Sequence, residues 1–220
     1  MSSSRFDSQA RKEHAHDHEH DQHAATDEQR EGPPSEYEIM SRAMQELLEE
    51  KGLVTADQVR RRMEQFDEEL PYRGAKVVAR AWTDPGFKER LLRDGKAACA
   101  EMGIDLEADR LIAVENTPEV HNVIVCTLCS CYPRSLLGMP PTWYKSSNYR
   151  SRVVFEPRAV LKEFGTELHE RVTVRVHDSN ADMRYLVVPM RPAGTEGWDE
   201  ERLSALLSRD TLVGVSVPVV

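Results

Sequence analysis

Cys126, Cys129 and Cys131 fall within one short stretch, Cys126-Thr127-Leu128-Cys129-Ser130-Cys131. Their spacing carries chemistry that isolated thiols lack. A single residue separates Cys129 from Cys131, so the amide nitrogens of Ser130 and Cys131, once deprotonated, can bind a metal in the plane of the two flanking sulfurs. The chelate rings that result are small, fused and low in strain. Cys126 is free to reach that plane from below as an axial ligand, and the remaining position is left open. Amide deprotonation needs a strongly charged ion, and two thiolates with two amidates are strong-field donors. The set therefore favours a low-spin trivalent ion, Co(III) or Fe(III), over zinc or magnesium. Such an ion polarises a bound substrate or lowers the pKa of a bound water. Thiolates exposed in its plane are open to oxidation.

A structural zinc site takes four ligands, commonly from paired C-x₂-C knuckles or from cysteines with histidines. No second knuckle is present, and zinc held by three sulfurs with an open position stays as an alternative, in a protein that binds metal without catalysis. His121 lies on the segment that leads into the loop. Cys99 falls on the apolar side of an expected helix and reads as a small core residue. Clustered cysteines, unlike those spread out to close loops, point to metal or redox chemistry in a reducing compartment.

The elements that must position this loop are strands. Residues 111–114 and 120–125 are β-rich runs, and the second leads straight into Cys126. Val172, Val174 and Val176 alternate with Thr173 and Arg175, which predicts a strand with one buried face, and 183–188 forms another. Helices are expected over 157–164 and 199–208. Together these make a mixed α/β domain, residues 104–220, that carries the metal and the catalysis.

Residues 35–103 read as a helical arm before that domain, giving an α+β chain overall. Ser35 and Glu38 have capping-box spacing, and Ile39, Met40, Ala43, Met44, Leu47 and Leu48 make one apolar stripe up to Gly52. A second helix opens at Thr55 with Gln58 as its box partner, shows Val59, Met63 and Phe66 on one side, and stops before Pro71. Neither helix has a core of its own, so the arm packs on another subunit or folds back on the body. A helical pattern follows over 74–82. Asp84-Pro85 then caps a longer helix through Phe87, Leu91, Leu92 and Ala98 to Gly103.

Residues 1–34 are polar, without periodicity, and read as disordered. His14, His16, His18, His20 and His23 within them could gather divalent metal loosely or form a solvated tail. The formal net charge is −9, and basic residues are interleaved with acidic ones, which argues against nucleic acid. There is no bilayer-spanning apolar run and no secretory signal, so no membrane partner and a cytoplasmic location are expected.

The stretch Val125-Cys126-Thr127-Leu128-Cys129-Ser130-Cys131-Tyr132-Pro133 resembles the metal-binding claw of nitrile hydratase α subunits. The resemblance runs on through residues 137–146 (LGMPPTWYKS), 149–154 (YRSRVV), Glu156-Pro157-Arg158, 191–198 (RPAGTEGW) and Gly214-Val215. It also takes in 75–79 (AKVVA) and 81–85 (AWTDP), so it covers everything from about Tyr37 onward. It implies a layered α-β-β-α domain and a lyase that hydrates nitriles to amides. Within the family Thr127 and Tyr132 mark the cobalt type. The resemblance further implies one Co(III) per chain, held by Cys126, Cys129, Ser130 and Cys131. Cys129 becomes a sulfinic acid and Cys131 a sulfenic acid, the two acting as the catalytic pair. A β subunit completes a hetero-oligomer, and an activator protein loads the cobalt.

One position departs from the pattern. Most nitrile hydratases place Trp after Cys-Tyr-Pro, lining the substrate pocket, where this sequence has Arg134. The γ subunit of thiocyanate hydrolase, with the same cobalt claw, has Arg there and a His/Asp-rich tail. The short 103–120 stretch and residues 136–141 fit nitrile hydratase better. Arg134 either anchors the partner subunit or steers an anionic or polar substrate in the pocket.

Overall fold

A computed structural model describes residues 36–59, 61, 70–106 and 110–220. Ser35, Met63, Phe66 and the histidines of the first 34 residues lie outside the described residues.

Helix α1 (Glu36–Glu50) is amphipathic as expected and ends where Gly52 adopts a φ of +66°. Its apolar stripe stays outside the core of the described residues. Ile39, Met40, Met44 and Leu47 are all exposed. The capping box at the next helical start is formed in both directions. Gln58 N–H donates to Thr55 Oγ1 at 3.2 Å and Thr55 N–H to Gln58 Oε1 at 2.8 Å.

Helix α2 (Leu70–Thr83) begins earlier than the pattern predicted. It takes in Pro71, which the first turn of a helix tolerates because the N–H there has no partner to lose. Ala75, Val77, Val78, Ala79 and Ala81 are buried along it. Asp84 then caps α3 (Pro85–Arg93), its side chain accepting from Phe87 N–H at 2.9 Å. The single long helix expected to follow is two. Asp94 ends α3 and starts α4 (Gly95–Glu101), accepting from Ala97 N–H at 3.0 Å. The break sits where the chain presses on a strand, since a Cβ on Gly95 would come within 2.6 Å of Leu111 O.

The strands are β1 (Arg110–Glu115), β2 (Val120–Val125), β3 (Thr173–Asp178) and β4 (Met183–Val188). They pair in parallel, β1 with β4 and β2 with β3. Parallel pairing needs long crossovers, and between β2 and β3 these are α5 (Arg134–Leu137), α6 (Thr142–Lys145), α7 (Ser147–Phe155) and α8 (Pro157–Glu163). The helix expected over 199–208 is shorter than expected, and a further helix opens beyond it. Asp199 caps α9 (Glu200–Ser204), and Ser208 forms a reciprocal capping box with Thr211 that opens α10 (Arg209–Val213).

Helices α3 and α4 pack on β1, the two strand pairs pack on each other, and α8 covers β3. The layering is α-β-β-α, and the chain is α+β. Val77, Leu91 and Cys99 from the helices share one core with Ile124 and Leu186 from the strands. Val174 and Val176 reach only half burial.

Candidate metal centre

Strand β2 is buried from His121 to Val125 and delivers Cys126, which is fully buried, at its end. From there the chain turns outward. Leu128 is 87% exposed at the tip, Cys129 is exposed, and Cys131 is half-buried on the way back.

The turn brings the three sulfurs together. Sγ of Cys129 lies 3.5 Å from that of Cys126 and 3.3 Å from that of Cys131, and all three fall within 4.8 Å of one another. The Cys129 N–H points at Cys126 Sγ, 3.2 Å away. Hydrogen bonds with Cys131 and Cys126 hold the Cys129 thiol below its ordinary pKa, while burial and the neighbouring Cys129 push Cys131 up to about 12. Sulfurs this close cannot all carry charge alone, so a cation among them is what makes full ionisation favourable. The donor set fits a thiolate-loving ion.

The loop is held on both flanks. Ser179 N–H donates to Val125 O at 2.7 Å and Tyr149 Oη to Ile124 O at 2.7 Å. Asp178 accepts from Thr127 N–H and hydroxyl, Arg150 donates to Thr127 O, and Tyr144 donates to Cys131 O. Beside the loop is a cavity of about 360 Å³ lined by Cys129, Ser130, Cys131, Arg134, Arg184 and neighbouring residues. Cys126 lies behind this lining.

The remaining candidates resolve as structure. His121 is buried on β2, with Nε2 2.7 Å from Gly214 O and Nδ1 3.2 Å from Asn116 Nδ2. Its ring is therefore the Nε2–H tautomer with no nitrogen left for a metal. Cys99 is buried in the core and its thiol is pushed up to about 12 by that burial. The 191–198 stretch is a brace. Arg191 donates to Trp82 O at 3.2 Å and to Thr195, and Trp82 Nε1–H donates to Pro189 O at 2.8 Å.

Residues 35–216 match the family model described as nitrile hydratase, alpha chain. The chain belongs to that family. The α subunit of the low-molecular weight cobalt-containing nitrile hydratase of Rhodococcus rhodochrous is 50% identical over 190 residues, covering 84% of this chain and 92% of the relative. The γ subunit of thiocyanate hydrolase from Thiobacillus thioparus is 42% identical over 196 residues, covering 84% and 81%. Among solved structures, a doubly substituted Fe-type nitrile hydratase from Comamonas testosteroni Ni1 superposes with a TM-score of 0.77 at 45% identity, over 84% of this chain and 92% of that one.

Reading the sequence did not single out Asp178, Arg184 or Tyr144, which the fold brings to the cysteine loop and its cavity. Asp178 had a signal available only once pairing is known. In a parallel pair the strand ends lie side by side, so the end of β3 had to fall next to the loop that ends β2.

Proposed function

We propose that this chain is the α subunit of a cobalt nitrile hydratase, adding water to a C≡N triple bond to give an amide. The observation that carries the reading is the convergence of Cys126, Cys129 and Cys131 at one side of a cavity, in a chain half identical to a cobalt-containing α subunit. The sulfurs of these cysteines and the amide nitrogens of Ser130 and Cys131 are the proposed ligands for cobalt, as Co(III). When bound, the metal supplies Lewis-acid polarisation of the nitrile.

The chain's own residues do the rest. Cys126, buried, holds its sulfur from the closed side, while Cys129 and Cys131 face the cavity where substrate enters. Oxidised to sulfinate at Cys129 and sulfenate at Cys131, they present oxygens there. A water oriented by the Cys131 oxygen attacks the nitrile carbon, a proton passes to the nitrile nitrogen, and the imidic acid tautomerises to the amide. Where the Cys131 oxygen itself attacks, a water then releases the imidic acid and restores the sulfenate. Arg134 meets the polar end of the substrate from the cavity wall. A β subunit covers the exposed tip at Leu128 and completes the pocket, and an activator protein loads the metal. Among the described residues no helix is long and apolar enough to cross a membrane. A cytoplasmic location suits cysteines clustered for a metal and not spread out for disulfides.

A second reading has support of its own. Arg134 and Arg184 both line the cavity beside Cys129 and Cys131, and two guanidinium groups there suit an anion such as thiocyanate. Metal analysis, peptide mass mapping and turnover of the co-purified complex separate the readings. Cobalt with two oxygens on Cys129 and one on Cys131, and hydration of simple nitriles, is the expected result. Turnover of thiocyanate alone assigns the second reading. Unmodified thiols holding zinc leave a metal-binding protein without catalysis.

A further inference from the structure

We propose that Asp178 is a positioning residue that shapes the cysteine loop before cobalt arrives, acting through Thr127. Thr127 is exposed, yet each of its polar groups is held. Its N–H donates to Asp178 Oδ1 at 3.0 Å, its hydroxyl donates to Asp178 Oδ2 at 2.6 Å, and its carbonyl accepts from Arg150 Nη1 at 3.3 Å. One carboxylate gripping both the main chain and the side chain of a residue fixes its backbone and its χ1 together, which a single bond would not. Charge-assisted bonds of this kind are the strong ones.

Thr127 is the link directly after Cys126, so its conformation decides where Cys129 falls relative to the buried sulfur. The grip coincides with Cys129 N–H on Cys126 Sγ and with sulfurs 3.5 Å apart. Asp178 can do this because it pairs in register with Val125, the last residue of β2. It does not join the cluster of ligand atoms. Its carboxylate holds the frame, and the cysteines hold the ion.

This inference rests on the loop being a cobalt site, and the test keeps the two claims apart. The metal-free full chain, reduced and under inert gas, is titrated with cobalt(II) chloride, and affinity is read from sulfur-to-cobalt charge-transfer absorption. Asp178→Asn and Asp178→Ala should bind about tenfold to a hundredfold more weakly, the range for residues that hold a metal ligand in place. Thr127→Val keeps the N–H, loses the hydroxyl and should weaken binding less. Combined with Asp178→Asn, its effect should fall short of the product of the single effects, because both changes cut one linkage. The melting temperature of the metal-free variants should match the parent. Parent-like affinity in both Asp178 variants, or a melting temperature that falls in step with affinity, overturns the proposal. If the parent itself takes up no cobalt, the metal reading of the loop fails first.

Discussion

The hydroxyl of Tyr144, a fully buried residue, donates to the carbonyl of Cys131 at 2.9 Å. The bond ties the return limb of the loop to α6. Tyr144→Phe keeps the ring contacts, including the edge-on contact with Tyr132 at 5.0 Å, and removes only the donor. Losing a buried hydrogen bond and stranding its acceptor destabilises by about 1–3 kcal/mol. Denaturant unfolding of the metal-free chain should show that loss in the midpoint with an unchanged slope. An unchanged midpoint would sink the assignment.

Stability should fall as the medium is acidified through the histidine range. Burial lowers the pKa of His121 in the fold, against a smaller opposing contribution from its bond to Gly214 O, and burial with Arg175 lowers that of His177. The unfolded chain therefore binds more protons below about pH 6.5. Both contributions are fully present above that value and are lost as pH drops toward the lowered folded values. Melting temperatures at pH 7.5 and 5.5 check this. His121→Gln should be less stable at neutral pH and show a shallower dependence, and an equal slope in parent and variant would contradict the account.

Cys99 and Cys131 should part company on substitution. Cys99 is enclosed by the core, so Cys99→Ala leaves a small void costing on the order of 1–2 kcal/mol while cobalt per chain stays at the parent level. Cys131→Ala removes a proposed ligand and should empty the site. Metal analysis beside a thermal melt reads both, and cobalt retained in the Cys131 variant refutes the ligand set.

The stripe on α1 should matter to assembly and not to the fold of this chain. Met40 and Met44 are 58% and 56% exposed, and apolar side chains aligned on one exposed helix face mark a surface that another protein covers. Met40→Glu with Met44→Glu should reduce co-purification of the β subunit several-fold, yet leave the melting temperature of the isolated chain in place. Undiminished co-purification would show that the arm binds elsewhere.

Local chemistry in this chain was legible in the order of residues, and adjacency between distant residues was not. The spacing of Cys126, Cys129 and Cys131 anticipates the sulfur cluster that the fold assembles, and valine-rich β2 declares itself by content. Asp178 is ordinary until β3 is seen beside β2, because one chain does not encode pairing and register in any short window. The helices that were read as continuous failed for local reasons. Asp94 is a strong N-cap and starts a new helix in the middle of an apolar pattern, and the helix expected over 199–208 closes at Ser204. The half-buried face of β3 shows that alternation reports a preference to be covered, and another chain can satisfy it.

The parallel pairing of β2 and β3 also sets an order of events during synthesis. Thr127 and Asp178 are 51 residues apart in the chain, so the ribosome delivers all three cysteines well before it delivers the strand that braces them. An ion that meets the emerging polypeptide in that interval finds sulfurs without a frame. If Asp178 braces the loop as proposed, uptake of metal into a framed site is expected only after translation has passed β3.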